Sequence, residues 1–256
     1  MITIFSIPKA FKGHTGIIQE NAIRSWTKIL NVEVILFGDD PGVKEFSEKL
    51  NIKHIQNIKK NEKGTPLVSD AFEKVKEISL NRIVMYSNAD IIYLNDLEQF
   101  IKKIEDIKYT NFVACGQRFD LDFSSRINFN DNWDLHIKDR LKKASLHGRS
   151  GLDYFIFDKE KLFKFPELAV GRPGWDNWFL YKSRMSNLKL VDLTNSVVAI
   201  HQNHESIYKP YDAESLQNKK NIGGYYYMAT LNDANWSVVE KNNDYFFKRR
   251  LTGSLI

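Results

Sequence analysis

Between residues 2 and 107, short apolar runs and helix-period segments take turns along the chain. Ile2–Ile7 reads as a strand ending at Pro8, and Gly16–Leu30 as a helix with Ile17, Ile18, Ala22, Ile23, Trp26, Ile29 and Leu30 on one face. Val32–Phe37 is a second strand running into the turn GDDPG, Val43–Leu50 a short helix, and Lys53–Ile55 a candidate third strand. Thr65–Ile78 reads as a helix with Pro66 in its first turn, Arg82–Ser87 as a buried strand, and Asp96–Ile107 as a helix. Strand, crossover helix and next strand thus recur about three times. That pattern predicts an α/β fold with a mostly parallel sheet covered by helices on both faces.

After residue 110 the pattern changes. Phe112–Gly116, Tyr154–Phe157 and Val197–Ile200 read as strands, Asn130–Leu146 contains a basic helix, and Trp175–Met185 is helical. No internal repeat, low-complexity tract or Pro/Gly/Ser linker divides the chain, so its 256 residues are expected to pack as one unit. Its organisation is read as a first half to about residue 110, a second half over about 111–236, and a basic tail over 237–256.

Composition narrows the function. Hydrophobic residues make up 43% and charged residues 27%, a globular balance. Cys115 is the single cysteine, which excludes an intrachain disulfide and a cysteine-based zinc site. The N-terminus has no basic region followed by an apolar stretch, and no run approaches about 18 apolar residues, so neither a signal peptide nor a spanning helix is predicted. These features fit a cytoplasmic protein. The net charge of +5 favours an anionic partner. It concentrates at 137–149 and in the last sixteen residues, which contribute +3. Such runs are most often solvated faces; no nucleic-acid partner is expected, and peripheral contact with the inner face of a membrane is the alternative use.

Three constellations can carry chemistry. Asn88-Ala89-Asp90 follows the Arg82–Ser87 strand at once. Ligands in open parallel sheets bind outside the carboxyl ends of the strands, and an Asp there suits Mg²⁺ or Mn²⁺; the alternative is an Asp that caps the next turn. Gly171-Arg172-Pro173-Gly174-Trp175-Asp176-Asn177-Trp178 sets a shaped loop before a helix. It presents a carboxylate between aromatic rings, able to act as a base on a hydroxyl beside a sugar platform, or else a helix cap with both tryptophans in the core. Val198-Ala199-Ile200-His201-Gln202-Asn203-His204 delivers two histidines three residues apart at a strand end, suited to a metal or phosphate or simply structural. Two weaker signals are the loop Lys59–Pro66, with lysines before a helix start, and Gly151, whose missing side chain permits close approach. No phosphate-binding P-loop, dinucleotide fingerprint, Gly-x-Ser-x-Gly or His-Glu-x-x-His motif is present.

The order of these pieces resembles the GT-A fold of nucleotide-sugar glycosyltransferases, in which an Asp-x-Asp-type metal motif, a glycine loop, an acidic base and a metal-binding histidine follow one another. Asn88-Ala89-Asp90, Ser150-Gly151, Trp175-Asp176-Asn177 and His201 stand in that order. The strings GHTGIIQENAIRSW, LFGDD, NEKGTP, SNADII, GLDYFIF, AVGRPGWDNW and AIHQNH are similar to those of a bacterial group of glycosyltransferases, over about residues 1–236. Two departures stand out: Asn88 occupies the place of the first Asp of the metal motif, and Trp175 that of the acidic residue before the base.

The resemblance implies a metal-dependent, inverting transfer of a sugar from a nucleoside-diphosphate sugar, a UDP-sugar favoured, to a saccharide or lipid-linked hydroxyl acceptor in surface polysaccharide or glycoconjugate synthesis. Asp90 and His201 would hold Mn²⁺ or Mg²⁺, and Asp176 would be the base. Ser6 and Pro8 would border the nucleobase pocket and Asp39 accept from the base. Lys60, Asn61, Gly64, Asn88 and Ala89 would lie near the donor. Arg118 or Arg172 would add charge at the leaving group. On the acceptor side the resemblance places Gly151, Asp153, Arg172 and His204, with Trp175 and Trp178 as sugar platforms. Rival readings are a sugar nucleotidyltransferase and an inactive nucleotide-sugar-binding module. The first lacks its glycine-rich, basic N-terminal loop, since Ser6–Gly16 holds two glycines; the second is raised by Asn88.

Overall fold

The structure, a computed structural model, describes residues 1–106, 111–130, 132–204, 211–224, 229–241 and 244–250. The alternating first part forms β1 (Ile2–Ser6), α1 (Gly13–Trp26), β2 (Val32–Phe37), α2 (Val43–Leu50), β3 (Lys53–Ile55), α3 (Val68–Ile78) and β4 (Ile83–Ser87). Then follow β5 (Ile91–Tyr93), α4 (Asn95–Asp106), β6 (Phe112–Cys115), β7 (Arg118–Leu121), α5 (Trp133–Leu141), β8 (Ser145–Leu146) and β9 (Tyr154–Asp158). The chain continues with α6 (Trp175–Met185), β10 (Lys189–Asp192), β11 (Ala199–Gln202), α7 (Ala213–Asn221), β12 (Trp236–Lys241) and β13 (Asp244–Arg249).

Among the described residues the large sheet runs β3-β2-β1-β4-β9-β6-β10-β12-β13. Strands β3, β2, β1 and β4 are mutually parallel, as are β6, β10 and β12. β9 is antiparallel to both β4 and β6, and β13 closes the edge antiparallel to β12. All five residues of β1 are buried, as a strand covered on both faces requires. On one face Phe5, Phe37, Val84 and Tyr86 pack with α3 and α6; on the other Ile4, Leu36 and Met85 pack with α1 and α4. Each of these cores takes side chains from both halves of the chain.

Successive crossovers carry the chain outward from β1 to β2 and β3, and β4 then returns to β1's other side. The sheet therefore changes direction between β1 and β4, and a crevice opens outside their carboxyl ends. Ser6 Oγ, at the end of β1, donates to Ser87 O at the end of β4 at 2.6 Å, pinning the two edges together.

A smaller sheet, β5-β11-β7-β8, lies beside it with its own apolar layer of Ile92, Ile200, Leu121, Trp133 and Ile137. Local pattern did not reveal this sheet. Its strands have two to four residues, too few to show a period.

Several boundaries differ from expectation. Pro66 does not open a helix: it bridges back to Lys60, Leu67 bridges to Ala169, and α3 begins at Val68. The loop is closed instead by Asn61 Oδ1, which accepts from Lys63 N and Thr65 N. The segment read as a basic tail is largely the β12–β13 hairpin, held by Phe247 against Phe112 and by Arg250 on Asp192 at 2.9 Å. Residues 251–256 lie outside the described residues. No helix among the described residues is long and apolar enough to cross a membrane.

Candidate active site

A cavity of about 610 Å³ occupies the crevice between β1 and β4. Ile7, Pro8 and Lys9 leave β1 along one wall, and Asn88, Ala89 and Asp90 leave β4 along another. The loop residues Gly64, Thr65 and Pro66 form a third side, and Val170, Gly171 and Arg172 a fourth. Gln19 fixes the first wall: buried on α1, it accepts from Lys9 N at 2.7 Å and donates to Lys9 O at 2.9 Å.

The small sheet builds the charged end of the cavity. β11 pairs with β5 so that His201 sits opposite Ile91, the residue after Asp90. On its other side His201 is in register with Asp120 of β7. His204 follows two residues beyond β11 and lines the cavity. Its Nε2 lies 3.1 Å from Asp90 Oδ2, and His201 Nε2 lies 3.8 Å from the same oxygen. One ligand atom from each of Asp90, His201 and His204 falls within 4.8 Å of the others. Asp90 Oδ1 is buried and makes no hydrogen bond.

An orphaned buried carboxylate oxygen is costly, and a cation is its natural partner. Burial works to raise the Asp90 carboxyl, but the His204 hydrogen bond and the charges of His201, His204 and Arg118 overcome it and hold it below the usual carboxylate range. Burial pushes the His201 imidazole down, favouring the neutral ring that ligates metals. An Asp/His/His set of this kind fits Mn²⁺ or Mg²⁺, with the two imidazoles leaning toward Mn²⁺.

Asn88, the residue in place of a metal-motif Asp, has its own duties. Its Nδ2 donates to Asp153 Oδ1 at 2.7 Å, its N–H to Asp153 O at 2.8 Å, and its Oδ1 accepts from the Tyr86 hydroxyl at 3.1 Å. An amide can do this beside a carboxylate, whereas a second carboxylate would repel it. Asp153 also takes Arg118, whose Nε donates to Asp120 Oδ1 at 3.0 Å. Arg118 is thus bracketed by two carboxylates and does not line the cavity.

Asp176 lies in the first turn of α6, after Gly174 at φ 99°, a left-handed conformation that favours glycine. Its Oδ1 accepts from Asn177 N at 2.9 Å. Desolvation, aided by the Asp153 charge, pushes its carboxyl up to about 7. It does not line the cavity, but its charge, with those of Asp90 and Asp153, acts on the buried Tyr86 phenol that does.

Of the other expected residues, Pro8, Gly64, Ala89 and Arg172 also line the cavity. Arg172 is shared by Glu214 at 2.5 Å and Asp212 at 3.2 Å. Ser6 is buried in the strand pairing and does not line the cavity. Asp39 turns to Lys60 Nζ at 2.5 Å, and Asp40 lines the cavity instead. Lys60 and Asn61 face a second cavity of about 540 Å³ against α7, where Asn61 donates to Glu214 at 2.6 Å. Trp175 and Trp178 are not platforms. They are 5% and 8% exposed, and their rings meet Phe72, Tyr86 and Phe155, and Phe163 and Phe165, in the core. Gly151 lies under a side chain: a Cβ there would collide with the His147 ring. Residues to which sequence reasoning gave no role are Tyr86, Gln19, Asp40, Asp120 and His147. Two of them had a local signal: Tyr86 directly precedes the Ser87–Asp90 stretch, and Asp40 neighbours Asp39 in the turn after β2.

No family model matches the chain, and no curated protein sequence matches it. Among solved structures it is similar to S. aureus TarS 1–349 in complex with UDP-GlcNAc, at 15% identity and a TM-score of 0.56 over 87% of this chain and 65% of that one. It is also similar to GalNAc-T7 with UDP, GalNAc and Mn²⁺, at 14% identity and a TM-score of 0.54 over 87% of this chain and 47% of that one. The chain spans about half to two thirds of the length of these two proteins. Sheet order, the crevice at the reversal between β1 and β4, and these likenesses agree that the chain has the GT-A fold of nucleotide-sugar glycosyltransferases.

Proposed function

We propose that this protein is a metal-dependent glycosyltransferase, taking a sugar from a nucleoside-diphosphate sugar to a hydroxyl acceptor. The observation that carries the reading is Asp90: its buried, unpartnered Oδ1 stands with the imidazoles of His201 and His204 at the charged end of a crevice sized for a nucleotide sugar, which Asp90 and His204 line. The solved relatives bound to UDP, UDP-GlcNAc and Mn²⁺ favour a UDP-sugar as donor and Mn²⁺ or Mg²⁺ as cofactor. Asp90, His201 and His204 would hold the cation, which when bound supplies positive charge against a departing diphosphate.

The chain's own groups do the rest. Pro8, Lys9, Asp40 and Gly64 border the donor crevice, and Arg172 adds a cation to its wall. Asp176 lies outside the donor cavity, so the base reading requires an acceptor hydroxyl brought to its own side; ionised, it accepts the proton of that hydroxyl as the oxygen bonds to the anomeric carbon. The bond from the anomeric carbon to the diphosphate breaks in the same displacement, so the configuration inverts and nucleoside diphosphate leaves. A carboxyl near 7 is well matched to this task, because a base works best with a pKa near the working pH. The acceptor is a saccharide or lipid-linked hydroxyl of surface polysaccharide or glycoconjugate synthesis. A lipid-linked acceptor would bring the exposed Leu135, Lys138 and Arg140 of α5 to an anionic membrane.

Thermal unfolding with nucleoside diphosphates and nucleotide sugars, in Mn²⁺ and in EDTA, tests the reading. A ligand of the folded state raises Tm by mass action. The expected result is a Tm increase for one nucleotide family that EDTA abolishes, with release of nucleoside diphosphate on turnover. No Tm change with any nucleotide, or release of pyrophosphate, would overturn it. Co-sedimentation that ignores anionic lipid content would remove the membrane contact alone.

A further inference from the structure

Besides Asp90, the small sheet sets a second carboxylate next to the proposed cation site, and no sequence motif marks it. Asp120 on β7 stands in register with His201 on β11, so their side chains leave neighbouring strands together. Asp120 Oδ1 is 3.2 Å from His201 Nδ1, and Asp120 Oδ2 is 2.8 Å from His147 Nδ1. Arg118 Nε fixes the carboxylate from a third side at 3.0 Å. His201 Nδ1 is buried and makes no hydrogen bond in the present ring orientation, so the Asp120 oxygen is the acceptor within its reach.

We infer that Asp120 is a positioning residue: it holds the Nδ1–H of His201 and thereby aims the Nε2 lone pair at the ion shared with Asp90. The inference rests on the metal-centre reading proposed above. Imidazole ligands are commonly oriented in this way, by a carboxylate on the nitrogen that does not bind metal. Asp120 is not itself within the ligand cluster of Asp90, His201 and His204. It supplies from β7 the second carboxylate that residue 88, an amide committed to Asp153, does not provide beside Asp90.

The test is Mn²⁺ binding to the whole protein, read by the electron paramagnetic resonance of free Mn²⁺, for the wild type and for Asp120→Asn, His147→Gln and Asp90→Ala. Asp120→Asn keeps the side chain's shape, and its thermal unfolding checks that it folds. It is expected to weaken Mn²⁺ binding about 10–100-fold. His147→Gln, which removes the other imidazole on Asp120, is expected to bind within about threefold of the wild type, because His147 is not one of the three residues whose ligand atoms cluster at the cation site. Wild-type affinity in folded Asp120→Asn would overturn the inference, as would equal losses in Asp120→Asn and His147→Gln. Asp90→Ala separates the two levels. If it binds Mn²⁺ as the wild type does, the metal-centre reading falls and this inference with it; if it alone loses binding, only the role of Asp120 falls.

Discussion

Asp176, the proposed base, also bears on stability. Its carboxyl rises from an ordinary 3.8 to about 7 in the folded chain, so between those values the native state holds more protons than the unfolded one. Stability contributed by the protonated group is present below about pH 4 and is lost as pH rises toward 7. The full burden at pH 8 is on the order of 3–4 kcal/mol, less whatever solvent access to the half-buried side chain relieves. Asp176→Asn keeps an oxygen for the Asn177 N–H and carries no charge. It is expected to raise stability by about 1–3 kcal/mol at pH 8 and much less at pH 5, while lowering transfer about 10²–10⁴-fold. Denaturant melts at the two pH values and initial rates check both parts; in the wild type the rate should climb with pH through about 7 and level off. A second residue-scale prediction concerns Asn88→Asp. It sets a carboxylate against Asp153 in place of a 2.7 Å donor bond, and should cost about 1–3 kcal/mol in the metal-free protein. An unchanged or raised Tm would show that Asn88 has no such duty.

At the scale of elements, helix α1 lines the cavity as well as the loops do, and a glycine within it sets how closely the chain can approach. Gly16 shows how a general propensity can reverse. Glycine inside a helix ordinarily costs about 1 kcal/mol relative to alanine. Here a Cβ on Gly16 of α1 would stand 2.8 Å from the backbone carbon of Phe11, which cannot swing aside as a side chain would. Gly16→Ala is therefore expected to destabilise by about 1–3 kcal/mol, measured by urea unfolding. It should also weaken nucleotide binding, because Thr15 and Ile18 on either side line the cavity. Gly151→Ala differs: its Cβ would meet the His147 ring, a side chain rather than backbone, so it should displace His147 from Asp120 with little loss of stability.

At the scale of the molecule, one ring ties the sheet to two helices. Phe72 of α3 lies between 4.4 and 6.2 Å, centroid to centroid, from Phe5, Tyr86, Phe157, Phe165, Trp175 and Phe179. These rings come from β1, β4, β9, the loop before α6, and α6 itself. Phe72→Ala should cost about 3–5 kcal/mol and loosen Asp176 and Tyr86 together, since Trp175 and Tyr86 both rest on it. Equilibrium unfolding reads the first effect, and the near-ultraviolet circular dichroism of the tryptophans reads the second. A loss under 1 kcal/mol would mean that the cluster repacks around the gap.

Local sequence pattern alone set the parallel wrapping of β1 to β4, since alternating strand and helix periods follow from burial on both faces of a sheet. It also set Asp90 just past a buried strand, Asp176 in the first turn of a helix, and His201 and His204 at a strand end, because each sits at a local boundary. Tertiary structure decided what these residues meet. Asp90 and His204 are 114 positions apart, and Asp120 reaches His201 only through the register of two four-residue strands. The same holds for the tryptophans around Asp176: an aromatic ring beside a carboxylate reads alike whether it faces a sugar or a core, and α3 packing over α6 decided for the core. Local pattern reports how deeply a residue is buried, but partner and register are fixed only when remote segments pack. The choice between Asp39 and Asp40 shows this at its smallest, for Lys60 claims one and leaves the other to the cavity.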